Sequence, residues 1–360
     1  MYTLDEFMTA VDQSDGIVCY GIGKRFHMFL REFQETPIIE KLRFCIDAYA
    51  ENQHIKTENR LLEVQGLSSL QTVRDHHYVL IITNLRYDQV VDDLTDKGLL
   101  QGIQVFCFTH LYGMLLEKKA MNKWMPDNLR ITNEQRIPKV IHYCWFGGKT
   151  IPDKYKKWME SWHKYCPDYE IVEWNESNYD VTKNAYMYEA YRAEKWGFVP
   201  DYARLDIIYN HGGIYMDTDV EIVQNLDDLL YQDAYFGFER ESSIALGLGF
   251  GAVKGSEIIK KLRDDYEIQH FLSHDGTMNL TASPVLQTAV FQKEGVLLNG
   301  EYQVKQNFTI YPEKVLSGKC PYTRRGRLLP YTKSIHHYEA TWTDNEFQER
   351  NRRFEQEMNS

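Results

Sequence analysis

Asp217 and Asp219 stand either side of Thr218, just after the run Gly212-Gly213-Ile214-Tyr215-Met216. Alternate residues of an extended chain point to the same side, so both carboxylates can face one cation. Their oxygens suit a hard ion, Mg²⁺ or Mn²⁺, which leaves its other positions to water or phosphate oxygens and offsets the charge of a departing diphosphate. A nucleotide-sugar is a ligand of that kind. The triplet alone decides little, because 52 acidic residues among 360 supply roughly seven such triplets by chance.

The order of the surrounding elements adds the weight. Asp201 to Tyr209 carries apolar residues at helical spacing (Leu205, Ile208, Tyr209), with Gly212 available to end the helix. Ile214-Tyr215-Met216 then predicts a short buried strand that delivers the aspartates at its carboxyl end, the edge where open α/β sheets bind ligands. Asp201 and Arg204, three apart and just after Pro200, share a helix face. Read alone, they are a surface capping residue and an ion pair.

The stretch from Val199 to Asp206, followed by Gly212 to Glu221, resembles the core of glycosyltransferase family 32, which includes bacterial capsular polysaccharide transferases and fungal initiating mannosyltransferases. A second block, Ile137 to Gly148 with Ile151-Pro152, is similar to the opening strand and nucleotide loop of that family and of the clostridial glucosylating toxins. Its residues Val140 to Phe146 read independently as a strand feeding a Gly147-Gly148 turn. A third, Ser334 to Trp342, matches a family block with a histidine pair, an aromatic residue and a tryptophan.

The resemblance implies an α/β fold of the GT-A type and a metal-dependent retaining hexosyltransferase. It assigns catalysis to Asp217, Asp219 and Arg204, and metal binding (Mn²⁺ or Mg²⁺) to Asp217, Asp219 and one histidine, His337 ahead of His336. Trp145 would stack on the nucleobase with backbone beside it at Cys144 reading the base edge. Asp201 and Arg204 would hold sugar hydroxyls, while Trp342 would cap the diphosphate or pack internally. The implied donor is a nucleotide-sugar, a uridine diphosphate sugar by the toxin-like block. The implied acceptor is a glycan or lipid-linked oligosaccharide of bacterial surface polysaccharide. Retention with no evident second carboxylate implies front-face attack. A nucleotide-sugar phosphohydrolase and a silent binding subunit are the rival functions.

Less specific features accompany these. Gly247 to Gly251 is either a close approach of backbone to ligand or a hairpin, and Ser283 replaces the glycine of a Gly-Pro pair common in relatives. Glu239, Glu241 and Asp275 are acceptor contacts or solvated loop residues.

The length calls for two domains. Residues 1–125 read as a Rossmann-like α/β domain, with strands at Leu42 to Ile46, Tyr78 to Thr83 and Ile103 to Phe108 and a helix on Tyr87, Val90, Val91 and Leu94. Gly21-Ile22-Gly23 lacks the third glycine of a dinucleotide fingerprint, Phe26 standing there, so this domain reads as a scaffold for partner, acceptor or homo-oligomer contacts. Asn52 to Asp75 reads as loop or loosely packed helix, 126–135 as linker, 136–345 as the catalytic domain and 346–360 as a charged tail. Six scattered cysteines without zinc spacing fit buried thiols in a reducing compartment. A net charge of −11 argues against nucleic acid. With neither a secretory leader nor a transmembrane run, a cytoplasmic protein is expected. Lys319, Arg324, Arg325 and Arg327 offer it a peripheral membrane contact, or form an ordinary solvated loop.

Overall fold

The structure is a computed structural model that describes residues 2–50, 52–57, 61–321, 323–339, 348–349, 352–353 and 355–356. The chain divides into two compact units, Met1–Glu117 with Arg350–Ser360, and Lys118–Glu349.

The first unit is built on a six-stranded sheet. Ile17–Tyr20 lies at its middle, parallel to Leu42–Ile46 on one side and Val79–Ile82 on the other. Val105–Cys107 and Leu61–Gln65 extend it in parallel, and Gln53–Lys56 closes one edge antiparallel. Ile17–Tyr20 and Val79–Ile82, at the middle of the sheet, are buried at every residue, as a parallel sheet covered on both faces requires. The stretch from Asn52 to Asp75 departs from the loop or helix expected of it. Beside the short helix Leu70–Asp75, it contains the edge strand Gln53–Lys56 and its neighbour Leu61–Gln65, in which Leu62 and Val64 are 1% exposed while Leu61 and Glu63 face out. That is the period-two pattern of a half-buried strand, diluted by charged neighbours.

The second unit has a mixed sheet in the order Gln303–Val304, Thr309–Tyr311, Ala234–Arg240, Phe250–Ala252, Gly213–Tyr215, Val140–Cys144, Glu170–Trp174, with Ser243–Ile244 beside Ala234–Arg240. A separate antiparallel pair joins Val220–Ile222 to Ser334–His336. Alternation sorts the central strands between two cores. Ile141, Tyr143, Ile214 and Met216 pack with Trp162 on one side, Cys144 and Tyr215 with the Pro200–His211 helix on the other. Residues 126–135, expected to be a linker, instead run along this unit. The Ile131 and Thr132 N–H groups both donate to the Tyr231 carbonyl, and the Arg130 guanidinium lies over the Tyr231 ring and pairs with Asp228.

The segment that carries the aspartates is set by local chemistry. Pro200 begins the helix Pro200–His211, whose first turn holds Asp201, and Gly212 ends it with φ +70°. Gly213 also has a positive φ, +99°, and a Cβ there would sit 2.8 Å from the Val140 carbonyl oxygen. Both glycines are therefore needed to turn a buried helix straight into a buried strand. His142 secures the turn. Its Nε2 lies 3.0 Å from the Gly212 carbonyl oxygen, and its Nδ1 accepts from the Trp174 indole at 3.1 Å. Since an indole only donates, the proton of the neutral ring sits on Nε2. Burial, with His211 nearby, lowers the His142 pKa to about 4 despite the Gly212 bond.

On the other side, Trp162 of the helix Asp153–Tyr165 is fully buried, and its indole donates to the Val220 carbonyl at 2.8 Å. It braces the strand that follows Asp219.

Two outcomes follow from these braces. Trp162→Ala is expected to cost about 3–5 kcal/mol, seen in calorimetry as a lower unfolding temperature of the second unit; an unchanged midpoint would remove Trp162 from this role. For His142, the unfolded ring takes a proton below its ordinary value of 6.5 and the folded ring only below about 4. The unfolded state therefore binds more protons in that window, and stability falls as pH drops through it, by about 3 kcal/mol in all. Urea titrations at pH 7 and 5 should show this loss shrinking in His142→Gln, which keeps a donor for Gly212 but no titrating ring.

Candidate active site

Asp217 follows the Gly213–Tyr215 strand after Met216, and its N–H donates to the Gly247 carbonyl at 3.4 Å. A Cβ on residue 247 would collide with the Asp217 carboxylate, so the loop from Leu246 to Gly249 reaches the aspartate only because Gly247 has no side chain. Burial raises the Asp217 carboxyl, Arg204 opposes that rise and Asp219 adds to it.

Asp219 is pinned more tightly. One carboxylate oxygen lies 3.2 Å from His336 Nε2, and the other accepts the Glu339 N–H at 3.0 Å. Its carbonyl accepts the His337 N–H at 2.9 Å. Burial alone would raise this carboxyl, yet His336 and the N–H groups hold it down at about 2. His336 in turn loses to burial but gains more from the Asp219 and Asp217 charges, and its pKa is raised.

The structure brings His336, and not His337, to the aspartates, which corrects the order expected from the motif. One ligand atom each from Asp217, Asp219 and His336 lie within 4.8 Å of one another. His337 faces the other way, stacked on Trp158 with ring centroids 4.0 Å apart and its Nε2 2.9 Å from Glu221. Adjacent residues of a strand point to opposite faces, and the pairing of Val220 with His336 decides which imidazole faces in. His336 Nδ1 is buried without a hydrogen-bond partner among the described residues. Two carboxylates and an imidazole are a donor set that fits Mn²⁺ or Mg²⁺.

Asp201 and Arg204 are no surface pair, since each is 4% exposed. Arg204 Nη2 donates to Asp201 and, at 3.0 Å, to Ser283 Oγ, while Nη1 lies 3.7 Å from Asp217. The guanidinium therefore joins the helix that carries Asp201 to the aspartate pair. Burial works against its charge, and Asp217 together with Tyr215, Tyr266 and Cys144 more than restores it. Beneath it, Asp206 takes the Tyr179 hydroxyl and the Lys183 ammonium, each at 2.9 Å, and fixes the helix from below. Sequence spacing offered no signal for that role, nor for the Glu339 N–H.

Trp145 directly follows the Val140–Cys144 strand. Its N–H bonds the Trp174 carbonyl at 2.9 Å, and its indole donates to the Lys149 carbonyl at 2.6 Å, which leaves the ring half-buried. The Cys144 thiol is enclosed beside Tyr215 and Arg204, and burial pushes its pKa up, so only backbone remains there to meet a ligand. Trp342 lies outside the described residues. Two of the weaker candidates are occupied locally, Asp275 by Ser273 and Thr277 within a turn and Glu241 by Lys123 at 2.9 Å. Arg324 of the basic run donates to the His337 and Tyr338 carbonyls and so supports the histidine segment.

Residues 152–236 match the family described as a glycosyltransferase sugar-binding region containing the DXD motif. Inositol phosphoceramide mannosyltransferase 3 of Schizosaccharomyces pombe is 32% identical over 130 residues, 33% of this chain and 34% of that protein. Mannosyl phosphorylinositol ceramide synthase SUR1 of Saccharomyces cerevisiae is 30% identical over 113 residues, 30% of this chain and 28% of that protein. The chain thus spans about a third of the length of these relatives. The PaToxG glycosyltransferase structure aligns at 18% identity with a TM-score of 0.36, over 51% of this chain and 76% of its own, a likeness too distant to carry the fold. Asp201, Arg204, Asp217 and Asp219 all fall inside the matched region, so the part of the chain that carries the candidate site is similar to the sugar-binding region of DXD-containing glycosyltransferases.

Proposed function

We propose that this protein transfers a hexose from a nucleotide-sugar to a hydroxyl of a glycan or lipid-linked acceptor, with retention at the transferred carbon. The observation that carries the reading is the buried Asp201–Arg204 pair joined through Asp217 to the Asp217, Asp219 and His336 donor set. A divalent cation held by those three residues would neutralise the charge that develops on the leaving diphosphate. Asp219 stays ionised for that purpose across the physiological range. Arg204 and Asp201 orient sugar hydroxyls with a fork whose position is fixed before the ligand arrives. Trp145 offers a half-open indole face at the sheet edge for a nucleobase. With Asp201 bound to Arg204 and the aspartate pair assigned to the metal, attack from the front face with the leaving phosphate taking the acceptor proton is the route proposed.

The names of the relatives support mannose as the sugar and an inositol phosphoceramide type of acceptor, whereas the Trp145 block supports a uridine diphosphate sugar. Among the described residues no helix is long and apolar enough to cross a membrane, so a lipid-linked acceptor would be met from the membrane surface. The setting proposed is surface polysaccharide synthesis at the cytoplasmic side.

The test is product analysis with UDP-glucose, UDP-galactose and GDP-mannose, with and without Mn²⁺ and glycan acceptors. Sugar should appear on the acceptor with one donor class, and Asp219→Ala should lower that transfer by at least about a hundredfold. Sugar 1-phosphate with nucleoside monophosphate, whatever the acceptor, would favour the phosphohydrolase. In Mn²⁺ titrations His336→Ala should weaken binding by about tenfold or more and His337→Ala by much less. Equal losses in the two variants would overturn the choice of His336.

A further inference from the structure

Ser283 is the first residue of the helix Ser283–Lys293 and accepts from Arg204 Nη2 at 3.0 Å. A guanidinium has only donors, so the serine oxygen is the acceptor in this bond and its own proton is left over. That proton has no acceptor among the described residues, and the side chain is half-buried beside the fork.

The hydroxyl is also held in place. One turn along the helix, Gln287 is 1% exposed and its side-chain Oε1 accepts the Leu246 N–H at 3.4 Å. Next to it, Thr288 Oγ1 accepts the Ile244 N–H at 3.0 Å. Both bonds tie the helix to the strand and loop that bring Gly247 against Asp217. Ser283 is therefore positioned by the same assembly that positions Arg204 and Asp217, and a hydroxyl that accepts from a cation is the stronger donor for it.

We propose that Ser283 reads the transferred sugar directly, donating its proton to a hydroxyl oxygen of the hexose while Arg204 holds its oxygen. Serine at this position is then a specificity-determining residue for the sugar, and not for the nucleotide. The inference rests on the transferase reading above. A hydroxyl that merely props Arg204 would, through the Arg204–Asp217 contact, disturb the metal site and so weaken the diphosphate as well, whereas one that bonds the sugar affects only ligands that carry it.

The experiment is calorimetric titration, in Mn²⁺, of the wild type, Ser283→Ala and Ser283→Thr with UDP, GDP, UDP-glucose, UDP-galactose and GDP-mannose. Thermal midpoints of the three proteins serve as the check on folding. For the nucleotide-sugar that the wild type prefers, Ser283→Ala should weaken binding roughly three- to tenfold, the worth of one hydrogen bond. It should leave the matching nucleoside diphosphate unchanged, and Ser283→Thr, which keeps the hydroxyl, should recover the sugar-dependent part. Equal weakening of diphosphate and nucleotide-sugar, or no weakening of either, overturns the role of Ser283 while leaving the transferase reading intact. A wild type that binds none of the five ligands overturns that reading and this inference with it.

Discussion

A guanidinium with only 4% of its surface exposed has to be met by negative charge, because an unpaired buried ion costs several kcal/mol. Arg204 is met from two directions, by Asp201 of its own helix and by Asp217 of the neighbouring strand. The second unit is arranged around that demand. The helix must stop abruptly for its next strand to bring Asp217 back within reach, which accounts for two successive glycines. The loop on the far side must leave room for the carboxylate that turns toward Arg204, which accounts for Gly247. Charge is balanced locally as well. Arg204 stands beside Asp217 and His336 beside Asp219, so each of two close carboxylates has a cationic or protonatable neighbour of its own. Two aspartates one residue apart would otherwise repel strongly in so enclosed a place.

Much of this was legible in the chain. The helix from Pro200, its glycine stop, the apolar strand and the acidic pair follow in an order that few other structures would use, and each step has a local cause. Asp201 and Arg204 could be put on one helix face by counting. What counting could not supply was burial: the same two residues at the same spacing make an ordinary surface ion pair, and only the packing of the second core shows that they do not. The histidine pair shows the other limit. Alternation required one imidazole to face the aspartates and one to face away, but which one depends on the register of a strand pair whose members lie more than a hundred residues apart. Non-local register leaves no mark in spacing. Asn52 to Asp75 concealed an edge strand and its neighbour for a related reason, since strands near an exposed edge tolerate charged residues that read as loop. The segment from 126 to 135 looked like a linker because its polar residues bond backbone and carboxylates of the unit it crosses.

The pinning of Asp219 has a temporal side. The residues that fix it, His336 and the Glu339 N–H, come from a segment 120 residues further along the chain. During synthesis at roughly 5–20 residues per second, the aspartates emerge about ten seconds before the strand that completes them. Until then Asp217 and Asp219 are two acidic residues at a sheet edge with no imidazole beside them. The growing chain therefore builds its helices and central strands first and acquires an assembled centre last, when Ser334–His336 docks on Val220–Ile222. A chain ended before that point would lack the imidazole and the N–H that complete the surroundings of Asp219.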